Sequence, residues 1–316
     1  MDITHLGRES LTVMEYAIGI DLGGTSVKYA LVSKTGAMPC TGSLDTPATA
    51  GAPAVLDAIA EGVRACADFA RDNGIAPLGV GIGTPGVVSA DGSTVLGGAE
   101  NIAGWEGVDV AAGILERTGL RAVASNDANA MATGEWLFGA ARGASDALFV
   151  TVGTGIGSAA LIDGHMWRGH GGRGMEMGHI TVKCDGEPCA CGGRGCLEHY
   201  ASTSALVRRF AELSGRADAD GREIVRLYLA GDPTSARVMS EHWSYLGHGI
   251  ASMINVFSPQ LVVVGGGISE AGDFYFERLR RSVGAQAIDV CAAETRIVPA
   301  ELGNRAGCLG AAGLIL

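Results

Sequence analysis

The sequence has no cluster of Lys and Arg: 23 basic side chains are outnumbered by 34 acidic ones, for a formal charge of −11. A phosphate backbone or an anionic membrane surface recruits a basic footprint, so the composition argues against nucleic acid and membrane as partners. Nowhere do about 18 apolar residues run together, the length needed to cross a bilayer. Residues 1–16, MDITHLGRESLTVMEY, hold Asp2, Arg8, Glu9 and Glu15 and no apolar stretch of signal-peptide length, so a cytoplasmic protein is expected. Gly-Lys-Ser/Thr does not occur, which excludes a Walker A phosphate loop, and no segment is of low complexity.

What is present suits a well-buried globular protein, 47% apolar and 18% charged. With 316 residues the chain outgrows one small core, and two units of ordinary domain size are expected. Its 50 glycines gather at the ends of short β-branched runs: AIGIDLGGTSVKYALV (17–32), LGVGIGTPGVV (78–88), ALFVTVGTGIGSAALI (147–162) and LVVVGGGIS (261–269). Such places need positive φ or a close approach of backbone to ligand. The first and third runs look alike, each an apolar strand, a Gly/Thr turn and a second strand, a weak internal repeat. Helical spacing predicts long helices over 52–74, stopping at Asn73-Gly74, and over 232–257, behind Asp232-Pro233. The order is α/β. The expected units are 1–125, completed by the returning C-terminal segment from about 300 to 316, and 126–299.

Gly81-Ile82-Gly83-Thr84-Pro85-Gly86 matches the dinucleotide fingerprint, but VVSADGSTV with its Asp91-Gly92 turn reads as a hairpin where that fold requires a helix. The other glycine turns can offer N–H groups and hydroxyls to phosphate, from Gly23, Gly24 and Thr25 in one and Thr154, Gly155 and Gly157 in the other. Asp21, ending an apolar strand, can hold Mg²⁺ through water or brace its own turn. Lys28 can neutralise phosphate or lie on a solvated face. In SNDANAMATGEW (125–136) a capping-type serine precedes a helical pattern, placing Asp127 at a helix start whose dipole keeps it ionised. There it can take a proton from an attacking hydroxyl, or simply cap. In QLVVVGGGISEAG (260–272) a buried-type strand runs into Gly265, Gly266 and Gly267, with Ser269 able to cap a helix.

Cys189, Cys191 and Cys196 form C-x-C-x₄-C, compact enough to wrap one tetrahedral ion, with His179 and Cys184 both candidates for the fourth ligand. In a reducing compartment clustered cysteines hold metal more often than they form disulfides. Four protein ligands leave no open position, which makes the ion structural and argues against a zinc hydrolase. Glu176 lies three residues before His179 and Glu198 two after Cys196, so fixing the ion fixes two carboxylates. Cys40, Cys66, Cys291 and Cys308 read as small buried apolar residues, and His165, His170 and His199 as surface or packing residues.

IDLGGTSVK, GIGTPGVVSADG, ENIAGWEG, SNDANAMATGE, VTVGTGIGSA, EMGHITV with CACGGRGCLEHYAS, and INVFSPQLVVVGGGI, in that order from about residue 17 to the end, resemble the ROK family of sugar kinases and repressors, most closely its bacterial glucokinases. The resemblance implies a two-lobed actin-like/hexokinase ATPase fold with ribonuclease H-like lobes and a cleft active site. It implies ATP with Mg²⁺ at the glycine turns, adenosine against Gly265–Gly267, and Asp127 as the general base. It also implies sugar contacts from Asn101, Asn126, Glu176, His179 and Glu198, and structural zinc on His179, Cys189, Cys191 and Cys196. The reaction so implied is transfer of phosphate from ATP to the 6-hydroxyl of glucose in a homodimer or dimer of dimers. Kinases of N-acetylmannosamine, N-acetylglucosamine, fructose or allose would share the same parts. A sugar-sensing ROK repressor needs a helix-turn-helix domain that about sixteen leading residues are too few to form. One departure stands out: many ROK kinases read Gly-Glu-x-Gly-His, and here Met175 precedes Glu176, so an altered backbone is expected there.

Overall fold

The computed structural model describes residues 14–316; residues 1–13, and with them most of the leading segment MDITHLGRESLTVMEY, lie outside the described residues. The first half opens with β1 (Tyr16–Leu22), β2 (Ser26–Ser33) and β3 (Cys40–Asp45), then α1 (Ala52–Asp72) and β4 (Val80–Thr84). The short hairpin β5 (Val87–Val88) and β6 (Val95–Gly97), α2 (Val110–Thr118) and β7 (Ala122–Asn126) follow. The fingerprint-like glycines therefore lead into a hairpin, as the Asp91-Gly92 turn requires, with Gly92 at φ 72°. α3 (Asp127–Phe138) leads into β8 (Ala147–Val152), β9 (Ile156–Ile162) and β10 (His165–Trp167). Next come α4 (Glu198–Ala201), α5 (Thr203–Ser214), α6 (Gly221–Leu229) and α7 (Pro233–Phe257). β11 (Leu261–Gly265), α8 (Asp273–Gly284), α9 (Asp289–Ala292), β12 (Arg296–Pro299) and α10 (Ala306–Gly313) complete the chain.

Two five-stranded sheets result, β3-β2-β1-β4-β7 and β10-β9-β8-β11-β12. In each, three antiparallel strands are followed by two parallel to the first. The sequence repeat at β1–β2 and β8–β9 is thus the visible part of a repeated topology. β4 and β11 are buried along their whole length, as near-continuous apolar runs in parallel strands require, whereas the edge strand β3 alternates.

Local chemistry fixes the helices that back these sheets. α1 starts at a proline in its first turn and ends at Asn73, and Val55, Ile59, Val63, Cys66 and Ala70 form its buried stripe at helical spacing. α7 is capped by Asp232, whose side chain accepts the Ser235 N–H at 2.7 Å. Its buried Val238, Leu246, Ile250 and Ile254 each contribute about 1.5–3 kcal/mol by leaving water. Cys66 and Cys308 are buried as expected, but Cys40 and Cys291 are only partly so, because Cys40 lies on the edge strand and Cys291 on the short surface helix α9.

α10 lies across β1 and β4, and it fits because Gly19 and Gly81 lack the Cβ that would run into the Cys308 and Ala311 carbonyls. α3 packs on α10 and β4, and also on β8 and β9, so it joins the two sheets. Buried Glu135 on α3 braces this crossing, its carboxylate accepting the N–H groups of Ala140 at 2.9 Å, Leu302 at 2.9 Å and Glu301 at 3.2 Å. No helix among the described residues is long and apolar enough to cross a membrane.

Candidate active site

β1, β4 and β7 run parallel and end at one edge of the first sheet, the edge at which such sheets bind ligands. Asp21 sits near the end of β1, opposite Lys28 on β2, with the ammonium 3.8 Å from its carboxylate. Burial pushes the Asp21 carboxyl above its usual range and Lys28 partly offsets this. Thr46 donates its hydroxyl to the Gly23 carbonyl at 2.7 Å, and the Gly23 N–H reaches Ser26 at 2.9 Å, so the Gly23–Thr25 turn is pinned. A Cβ on Gly24 would stand 3.1 Å from the Asn101 amide nitrogen, which places Asn101 over this turn.

At the end of β7 the helix cap is Asn126, not Ser125. The Asn126 Oδ1 accepts the N–H groups of Ala128 at 3.0 Å and Asn129 at 3.3 Å, while its Nδ2 donates to the Gly86 carbonyl at 3.0 Å. Ser125 is buried in the strand. Asn126 therefore keeps one amide N–H for a ligand, and Asn126→Ala is expected to lower stability by about 1 kcal/mol in urea unfolding. Asp127 is the first residue of α3. Its side chain is open to solvent, with many protein atoms gathered around it. Poor hydration pushes its pKa up from 3.8 to about 6, the Ala128 N–H works against the shift, and the charges of Asp21 and Glu176 add to it. At about 6 the group is still ionised at neutral pH, as expected of a carboxylate at a helix start, although desolvation and two like charges raise it.

In the second half the β8–β9 turn carries Gly153, Thr154 and Gly155, with the Gly153 carbonyl accepting the Thr203 N–H at 2.8 Å. Glu198, at the start of α4, accepts the Ile156 N–H at 3.2 Å, and a Cβ on Gly155 would lie 2.5 Å from its Oε2. The Glu198 carboxylate thus packs directly against the turn at Gly155. A Cβ on Gly157 would press on Thr151 at 2.6 Å and on Ala128 at 3.1 Å, so this turn abuts the helix start that holds Asp127.

The His179 Nδ1 stands 3.6 Å from the Cys189 Sγ, and the Cys191 and Cys196 Sγ atoms stand 3.6 Å apart. One donor atom from each of these four residues lies within 4.8 Å of the others. Zn–S bonds of about 2.3 Å give tetrahedral edges of about 3.8 Å, so this donor set fits zinc. Cys184 is exposed and stands outside the group. The loop closes on itself because the Gly195 N–H meets the Glu187 carbonyl at 2.8 Å and the Leu197 N–H meets Ile180 at 2.9 Å. His179 donates its own N–H to the Glu176 carbonyl at 3.0 Å, and its ring lies 3.9 Å from the Glu198 carboxylate. The cluster therefore adjoins the main chain of Glu176 and the carboxylate of Glu198. Met175 holds φ 65°, a left-handed backbone that glycine adopts freely, so the residue has changed while the turn still asks for glycine.

Gly265 pairs with Thr151, and Gly266 at φ 92° has no room for a Cβ beside the Val152 carbonyl. Ser269 caps nothing: its hydroxyl donates back to the Gly266 carbonyl at 2.7 Å, and α8 starts later, behind Gly272. Gly267 opens onto a cavity of about 450 Å³ lined also by Thr203, Asp220, Arg222, Val225 and Glu270. Its volume suits a small ligand. Of these residues Gly267 and Glu270 lie in the glycine-run segment 260–272, while Thr203, Asp220, Arg222 and Val225 sit on or beside helices α5 and α6, which no glycine run marks.

The ROK family profile matches residues 17–316, most of the chain. The chain belongs to the ROK family. A glucokinase of Thermotoga maritima is 34% identical over 311 residues, covering 94% of this chain and 96% of that one. The crystal structure of a ROK family glucokinase from Streptomyces griseus, in complex with glucose and AMPPNP, superposes with TM-score 0.81 at 34% identity, covering 95% of this chain and 99% of that one. A Bacillus subtilis xylose repressor is 30% identical over 239 residues, 76% of this chain and 61% of the repressor. The fold is the actin-like ATPase fold that the ROK motifs imply, built on the two repeated five-stranded sheets.

Proposed function

We propose that this ROK protein is an ATP-dependent sugar kinase that phosphorylates glucose at its 6-hydroxyl, with Asp127 as general base. The observation that carries this reading is the place of Asp127, first residue of α3 beside the turn that Gly157 packs against it, where its pKa is pushed up to about 6. A base of that acidity is ionised at neutral pH and still accepts a proton readily. Asp127 takes the hydroxyl proton as the sugar oxygen attacks the γ-phosphorus. The new P–O bond forms as the bond to the β-phosphate oxygen breaks, giving glucose 6-phosphate and ADP.

Asn101, Asn126, Glu176, Glu198 and the free ring nitrogen of His179 would hold the sugar hydroxyls, the two carboxylates through charge-assisted hydrogen bonds. Amides and hydroxyls of Gly23, Gly24, Thr25, Thr154, Gly155 and Gly157 would face the phosphates, and Lys28 would remain on Asp21 until nucleotide arrives. Adenosine would lie against Gly265, Gly266 and Gly267. Asp21 would hold Mg²⁺ through water, and that ion supplies neutralisation of the phosphate charge. His179, Cys189, Cys191 and Cys196 would hold zinc as a closed set, a brace for Glu176 and Glu198 rather than a reactant. Free thiols of this kind persist in a reducing cytoplasm.

The likeness to a xylose repressor supports a second reading, sugar sensing, in which the same pocket binds without transfer. Coupled ADP release across hexoses and N-acetylhexosamines separates the two. The expected result is sugar-dependent ADP release with the highest kcat/KM for glucose. A higher value for N-acetylmannosamine, N-acetylglucosamine, fructose or allose reassigns the sugar, and no sugar-dependent release removes the kinase reading.

A further inference from the structure

Glu176 is exposed and sits between an unfavourable backbone and a buried one. Before it, Met175 holds φ 65°, an unfavourable conformation that a non-glycine residue keeps only where its surroundings enforce it. After it, Met177 is buried in the second core and Gly178 presses on the Ile156 carbonyl. One side chain connects the two flanks. Ser158, on β9 and only 6% exposed, donates its hydroxyl to the Met175 carbonyl at 2.6 Å and accepts the Met177 N–H at 3.0 Å.

Those two groups belong to the peptide units on either side of the Glu176 Cα. Each unit is planar, so anchoring both to one oxygen fixes the φ and ψ of Glu176 and hence the direction of its Cβ. A hydroxyl can donate and accept at once through a single atom. Two residues earlier on the same strand, the Ile156 N–H holds Glu198. β9 therefore sets both carboxylates, one through its backbone and one through Ser158.

We infer that Ser158 is a positioning residue for the sugar: its hydroxyl holds the strained Met175 turn so that the Glu176 carboxylate points at the substrate. The inference rests on the proposed sugar contact of Glu176, and the test separates the two. Ser158→Ala, Glu176→Ala and the double variant are compared by KM for glucose, KM for ATP, kcat and thermal midpoint. Ser158→Ala is expected to raise the glucose KM about tenfold with the ATP KM within twofold of the parent, the scale of one lost net hydrogen-bonding interaction. In the Glu176→Ala background the same change is expected to add less than twofold, because Ser158 acts through Glu176 alone.

A merely structural role would lower the thermal midpoint and leave the glucose KM in place, or would act equally in both backgrounds, and either result overturns the inference. A raised glucose KM in Glu176→Ala alongside an unchanged one in Ser158→Ala overturns the inference alone. An unchanged KM in Glu176→Ala overturns the sugar contact as well. Should Ser158→Ala not fold, Ser158→Cys keeps the volume with only weak hydrogen bonding and is expected to give the same selective rise, at severalfold. No selective rise there also overturns it.

Discussion

Replacing Asp127 by Asn is expected to lower kcat by about 10²–10⁴-fold, the usual contribution of a positioned general base, while glucose affinity by calorimetry stays within a few-fold. The amide keeps the shape and the polar contacts but cannot accept the hydroxyl proton. The same variant is expected to melt at a higher temperature than the parent at pH 7.5. The sign follows from linkage: the folded-state pKa of about 6 stands above the unfolded value of 3.8. Between those values the folded protein binds more protons than the unfolded chain, so stability falls as pH rises through them, and above 6 the full penalty of the ionised carboxylate is present. The Asp127→Asn variant has no such penalty, and the difference in melting temperature is expected to close as pH falls toward 4. Catalysis follows the opposite trend, since kcat/KM is expected to drop as pH falls through about 6. Glu176 helps to raise this pKa, so Glu176→Gln is expected to move that acid limb to lower pH.

Removing the zinc proposed at His179, Cys189, Cys191 and Cys196 is expected to weaken glucose binding by at least about tenfold while binding of an ATP analogue stays within twofold. The cluster would brace both glutamates, through the His179 N–H at the Glu176 main-chain carbonyl and the His179 ring 3.9 Å from the Glu198 carboxylate. The proposed nucleotide contacts would come from elsewhere, the backbone of the two glycine turns and the 450 Å³ cavity beside Gly267. Cys191→Ser should reproduce the effect without chelator and should also lower stability, because metal affinity in a site absent from the unfolded chain is folding free energy. Parallel titrations of metal-free protein with glucose and with the analogue, with metal content measured in the same samples, check this. Equal loss of both ligands contradicts the brace.

How much of this was legible in the sequence depended on whether the deciding interaction was local. The strand–turn–strand units at 17–32 and 147–162 were readable because glycine turns between β-branched runs are a short-range signal, and the capped start at Asp232-Pro233 was readable for the same reason. The pairing of β1 with β4 and β7, and of β8 with β11 and β12, joins residues far apart in sequence and left no periodicity to read. Ser125, Asn126 and Asp127 can all cap a helix. Asn126 does so because β7 pairs in register with β4, Thr84 against Asn126, which brings its amide to the Gly86 carbonyl. The acidity of Asp127 is likewise set from a distance, by desolvation among the protein atoms around it and then by the charges of Asp21 and Glu176. Cysteine spacing marked three members of the metal cluster but left His179 and Cys184 equal; folding brings only His179 to the thiols. The strain at Met175 and the Ser158 hydroxyl that answers it had no local mark, since a serine inside a strand reads as ordinary.

The central claim, that Asp127 removes the proton from the attacking sugar hydroxyl, is tested most directly by a crystal structure with glucose and a non-hydrolysable ATP analogue. The expected result is an Asp127 carboxylate oxygen about 2.6–3.2 Å from the glucose 6-hydroxyl, on the side facing the γ-phosphorus. A 6-hydroxyl bound by another residue, with the Asp127 carboxylate out of hydrogen-bond reach, would contradict the account.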